Sequence, residues 1–260
     1  MKDLVQDIST CANHYKDFSK ISLKLKARFE SLPLPVYVVK TSDTDLIEEM
    51  FSRLNEASPL NAAEKRNAFG GPLTDLIHEL ADHRFCKEIL PFANKRYKHY
   101  DVLSKLLLLA DRGRVVDTKR IHLDKFVKTF ESHALDSVNS LRSRTVAVLD
   151  GMADVFQKNE KLLKLVTMVP IYFALVMVLQ SRNRLYKLNR DLLCRFEEEK
   201  RKNRELAQND EESAEINYDW LEFDRLTQSP NDSSSIEFKL SVLLDYLKEA
   251  PISNKVLQEV

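Results

Sequence analysis

From Pro72 to Leu247 the apolar residues fall mostly three and four positions apart, the spacing that lays one apolar stripe along an α-helix. Leu73, Leu76, Ile77 and Leu80 make the first such stripe, and Pro72 suits its first turn, where a missing N–H leaves no hydrogen bond unmade. Leu106–Ala110 is apolar throughout, which puts its helix at the centre of a bundle. From Leu123 the steps run through Phe126, Phe130, Ala134, Val138, Leu141, Val148, Met152 and Phe156, predicting one long helix or two nearly collinear ones with Thr145 facing inward. Leu162–Leu179 is apolar on all sides but for Lys164 and Pro170. A membrane span and a helix buried all round read alike; this stretch is at the short end for a bilayer, which favours the buried helix. Leu185, Leu188, Leu192 and Phe196 then mark a strongly charged helix. An acidic loop follows at 209–217, and Tyr218, Trp220, Leu221 and Phe223 dock an aromatic segment. Ile236, Leu240, Leu243 and Leu247 mark a last helix that Pro251 ends.

The N-terminal pattern differs. Leu4, Ile8, Cys11 and Tyr15 have helical spacing, whereas Leu34–Lys40 is β-branched and apolar, with Pro35 where a strand tolerates proline. Ser42–Asp45 has the form of a capping box opening a helix that carries Leu46, Ile47, Met50, Phe51 and Leu54 on one face. Asn61–Glu64 repeats the cap, and Gly70-Gly71-Pro72 stops the short helix after it. The expected fold is mainly α: a helical bundle with a strand or small β remnant near the N-terminus. Residues 1–40 form the helix and strand, and 41–260 the helical region of the same domain.

Composition narrows the function. Four glycines and a 31% share of charged residues suit a helical protein. With 40 basic and 40 acidic residues there is no general pull on nucleic acid, so a DNA contact needs a local patch. The segment Lys95–Tyr100 is such a patch: Lys95, Arg96 and Lys98 can hold phosphates while Tyr97 and Tyr100 stack on bases. The plainer reading is a solvated start to the next helix. Cys11, Cys86 and Cys194 are few and widely spaced, as in reduced thiols of a cytoplasmic protein. His78, His83 and Cys86 match no standard zinc spacing. No Walker loop, HExxH or GxSxG is present, and no catalytic residue can be named.

Phe51-x-Arg53-x-Asn55, followed by Leu60 and by Glu64-x-Arg66-Asn67-Ala68, resembles the motif block of the GmrSD-type restriction endonuclease N-terminal domain. That family has a ParB/sulfiredoxin-like core followed by a helical region. Arg96 and Asp101-Val102-Leu103 also look like its next segment. The resemblance implies nucleotide-dependent restriction of modified or foreign DNA, usually in bacteria, with a nucleoside triphosphate and magnesium as cofactors and DNA as a partner. Arg53 and Arg66 are then candidates for gripping phosphate, Asn55 and Asn67 for orienting a base or sugar, and Glu64 for holding an arginine or a metal-bound water. The competing reading makes Glu64 a capping acid and the two arginines braces of the intervening loop. The family's Asp-Gly-Gln-Gln-Arg motif is absent; the one Asp-Gly pair, Asp150-Gly151, continues as Met-Ala-Asp in a helical stretch. The chain is therefore expected to begin after the catalytic motif and to be catalytically incomplete. The alternative is a non-enzymatic module that packs, at its N-terminal face, on a protein partner supplying the missing half.

Overall fold

The computed structural model describes residues 22–33, 59–130, 135–209 and 213–251, with isolated positions between 38 and 50. The chain divides into two units, Met1–Pro59 and Leu60–Val260. In the first, helix α1 (Leu23–Glu30) buries none of its residues. Val38 and Lys40, the described positions of the expected strand, belong to no regular element, and among the described residues there is no strand. The rest of Leu34–Lys40, the helix expected before residue 22, most of the Ser42–Asp45 cap, and both Arg53 and Asn55 lie outside the described residues.

The second unit is a helical bundle. Its elements are α2 (Ala62–Asn67), α3 (Pro72–Ala81), α4 (Lys98–Arg112), α5 (Arg120–Thr129), α6 (Leu135–Val155), α7 (Val169–Ser181), α8 (Arg190–Asn209), α9 (Tyr218–Arg225) and α10 (Ser233–Tyr246). The periodic stretch after Leu123 thus forms two helices, α5 and α6. Thr145 is fully buried on α6, and its hydroxyl donates to the Leu141 carbonyl at 2.8 Å, so a polar group enters the core without an unmade bond.

The centre is α7, which packs against α4, α6 and α10. Val169–Val176, Val178 and Leu179 are buried, and Pro170 sits in the first turn, where it breaks no helical hydrogen bond. Two 3-10 turns, Lys161–Leu163 and Val166–Met168, lead into it, so the apolar run is only partly one helix. Among the described residues no helix is long and apolar enough to cross a membrane. Leu106, Leu107, Leu108, Leu109 and Ala110 on α4 are buried beside it. Each such leucine side chain contributes about 1.5–3 kcal/mol on leaving water. Where α6 meets α7 the approach is close: a Cβ on Gly151 would lie 2.6 Å from Gln180 Nε2 and 3.1 Å from Val176 Cγ1.

Between α3 and α4 the chain makes a π-helical turn, Phe85–Ile89, with Phe85, Cys86 and Ile89 buried. The carbonyls of Glu88 and Ile89 accept from the amides of Asn159 and Glu160, both at 2.9 Å. Glu160 is completely buried, and its carboxylate accepts from the Gln157 amide at 3.2 Å, the Leu162 amide at 3.1 Å and Arg190 Nε at 2.8 Å. One acid thereby ties the loop after α6 to the start of α8.

Candidate functional site

The sequence-derived site centres on α2 and the turn before α4. At α2 the capping box is formed in full. The Asn61 side chain accepts from the Glu64 amide at 2.9 Å, and Glu64 Oε2 accepts from the Asn61 amide at 2.7 Å. The same carboxylate also receives a two-pronged hydrogen bond from Arg96: Nε to Oε1 at 2.9 Å and Nη2 to Oε2 at 2.8 Å. A planar guanidinium presents its donors at the spacing of the two carboxylate oxygens, so this pair is specific in direction as well as charge. The Arg96 hydrogen bond, then the Asn61 amide, hold the Glu64 carboxyl down at about 2.

The turn that delivers Arg96 is strained. Arg96 and Tyr97 have φ of 52° and 61°, left-handed values that cost a side-chain-bearing residue about 1–2 kcal/mol each. The turn is braced from α2, since Asn61 Nδ2 donates to the Arg96 carbonyl at 3.0 Å while Glu64 clamps its side chain. On the other side of the turn, Tyr97 and Tyr100 meet edge to face at 4.9 Å, and Tyr100 leans on His78 at the same separation.

Arg66 points inward. It is 3% exposed, and its guanidinium donates to Asp101 on α4 and, at 3.1 Å, to Asp124 on α5. Lys105 and Arg120 flank the two aspartates at 3.1 Å and 3.2 Å. Asn67 Oδ1 lies 2.6 Å from His78 Nε2. Lys95, Arg96 and Lys98 are exposed, and the Lys98 ammonium sits 4.3 Å from the Phe92 ring centre. The structure therefore brings Glu64, Arg66, Asn67 and Arg96 into one region, together with Asn61, Asp101 and Asp124. The role of Asp124 was not legible, because nothing in the local pattern links it to a residue 58 positions earlier.

A triphosphate with magnesium needs free donors and free carboxylate oxygens. Here both Glu64 oxygens are engaged, and Arg66 is buried against two carboxylates that would repel phosphate. The described members of the set do not fit that group as they stand. Among the described residues no group of three or more His, Cys, Asp and Glu is placed to hold a metal ion. His83 contacts Asp150 at 3.1 Å, and Cys86 is buried, which pushes its thiol up to about 12.

Compared with family models, with curated proteins and with solved structures, the chain matches none of them.

Proposed function

We propose that the chain is a nucleic-acid-interacting component related to GmrSD-type DNA restriction, a binding element in which the motif residues are internal struts. One observation carries this reading. The two segments that hold the resemblance close on each other through Glu64–Arg96 and Arg66–Asp101, and the turn they brace faces solvent with Lys95 and Lys98. Rigid presentation of two ammonium groups beside Tyr97 suits a phosphate backbone with an adjacent base. Contact with nucleic acid is assigned to Lys95 and Lys98, because the charges of Glu64 and Arg66 are already paired within the fold.

Fluorescence anisotropy with labelled duplex and single-stranded DNA across a salt series tests it. For duplex DNA, Lys95→Ala/Lys98→Ala should weaken binding and flatten the slope of log K against log salt by about 1.8, since each phosphate that a lysine neutralises adds about 0.9 to that slope. A double variant with the wild-type slope and affinity would sink the assignment.

A second reading has its own observation. Leu23, Leu32 and Val38 in the first unit are all exposed, Leu23 by 84%. Apolar side chains left exposed at both ends of this short helix support a protein partner at the N-terminal face. Hydrogen exchange decides: unprotected amides over Leu23–Glu30 in the isolated chain favour the partner, and protection comparable to α4 removes the need for one.

A further inference from the structure

A second charged cleft lies away from the motif region, between the 161–168 segment, α8, α9 and α10, with a volume of about 460 Å³. Its floor holds Lys239, a residue 1% exposed on the apolar side of α10. The Lys239 ammonium makes one hydrogen bond among the described residues, a long one of 3.3 Å to the Thr227 hydroxyl. It also stands 4.9 Å from the Phe223 ring centre, and the Lys200 ammonium stands 4.4 Å from that same ring. Two cations thus share one aromatic ring, and the charge of Lys200 opposes that of Lys239.

The carboxylates nearby are committed elsewhere. Glu197 and Asp224 each contact Lys200 at 3.1 Å, and Asp224 is also held by Arg204 at 3.0 Å. Lys161 and Lys164 stand at the exposed rim of the cleft. Counting the lining residues Lys161, Lys164, Lys200 and Lys239 against Glu197 and Asp224, the cleft carries an excess of positive charge. A buried charge without an opposite charge is costly, and the usual remedies are loss of the proton or a bound counter-ion. Burial, then the Lys200 charge, push the Lys239 pKa below its ordinary range, and the charges of Asp224 and Glu197 offset them only in part.

We propose that this cleft binds a phosphate-class anion, held by Lys239 and Lys200 with the Thr227 hydroxyl as a third contact. The anion supplies the ion-pair contact that Lys239 does not make with a carboxylate among the described residues. Leu162, Leu165 and Met168 line the cleft as well, so a phosphate ester with an apolar body fits it better than the free ion. The site is independent of the reading offered for the Lys95–Lys98 turn.

Calorimetric titration of the full chain with inorganic phosphate and with phenyl phosphate tests the proposal. Saturable binding of either is expected, weakened at least tenfold by Lys239→Met and unaltered by Lys202→Met, which removes an exposed lysine elsewhere on α8. Tighter binding of phenyl phosphate identifies an organic phosphate as the ligand class; equal affinity identifies the free ion. Methionine keeps the length of the stem without the buried charge, so Lys239→Met should fold. Should it not, Thr227→Val and Lys164→Met change exposed positions and must each weaken binding severalfold. Heats that never saturate, or equal binding by wild type and the cleft variants, overturn the proposal.

Discussion

Glu64 and Arg96, 32 residues apart in sequence, meet through two parallel hydrogen bonds of 2.9 Å and 2.8 Å, and the same carboxylate closes the N-terminus of α2. A single acid thus serves as helix cap and as anchor for a left-handed turn that its residues would not adopt unaided.

The pH dependence of this contact has a definite sign. Glu64 has a folded value of about 2 against an ordinary 4.5, so its stabilising effect is complete above about 4.5 and is lost as pH falls towards 2. Glu64→Gln should melt below wild type at pH 6, and the gap between the two should hold down to about pH 4.5 and narrow below it. Circular-dichroism melts at fixed salt measure it. A constant gap would mean that the proton is not what matters.

Arg66 should be the most sensitive of the motif residues. Arg66→Met leaves Asp101 and Asp124 facing one another without their shared cation. Breaking such a pair costs about 3 kcal/mol, the low end for buried ion pairs, because the two acids keep 32% and 25% exposure. Urea unfolding gives the number. Adding Asp101→Asn and Asp124→Asn to Arg66→Met should recover part of the loss. No recovery would show that packing of the arginine stem, rather than its charge, is the stabilising part.

Glu160→Gln tests the knot beneath the π-turn. Burial raises the Glu160 pKa, but Arg190 and the amides of Leu162 and Gln157 outweigh it, so the folded value is lowered. Its contribution is therefore present above the ordinary 4.5 and disappears as pH falls through the lowered folded value. At neutral pH the substitution should cost about 2 kcal/mol, the scale of a hydrogen bond to a charged group. Urea unfolding at pH 7 and at pH 4 checks size and sign together.

Gly151→Val should destabilise by about 2 kcal/mol, because the new methyl groups enter the gap that Val176 and Leu185 already border at 3.1 Å. Thermal unfolding with an unchanged circular-dichroism spectrum is the expected signature.

The helices were legible because their periodicity is local. Asn61 and Glu64 announced a cap three residues wide, Pro72 opened α3, and Leu106–Ala110 marked the middle of the bundle. What was not legible depends on partners distant in sequence. The pattern names Arg66, Arg96 and Glu64, and Glu64 as a holder of an arginine, but not the pairing of Arg66 with Asp101 and Asp124, because those two reach Arg66 only when α4 and α5 pack beside α2. Lys239 did leave a trace. It lies three residues after Ile236 and four before Leu243, within the apolar stripe of α10, as Lys200 lies four after Phe196 on α8. A lysine inside such a stripe must bury its ammonium, and that is the signal a periodicity reading passes over when it follows only the apolar positions.

The burial of α7 also bears on how the protein is made. Its flank is closed in part by α10, the last helix described, so during synthesis Val169–Ser181 leaves the ribosome well before the residues that cover it. In that interval the most apolar helix of the bundle has one bare side, and chains stalled or cut before Ser233 keep it bare. Such truncated chains should be the aggregating species in a cell, bound by chaperones that recognise extended apolar surface, while the finished chain escapes them.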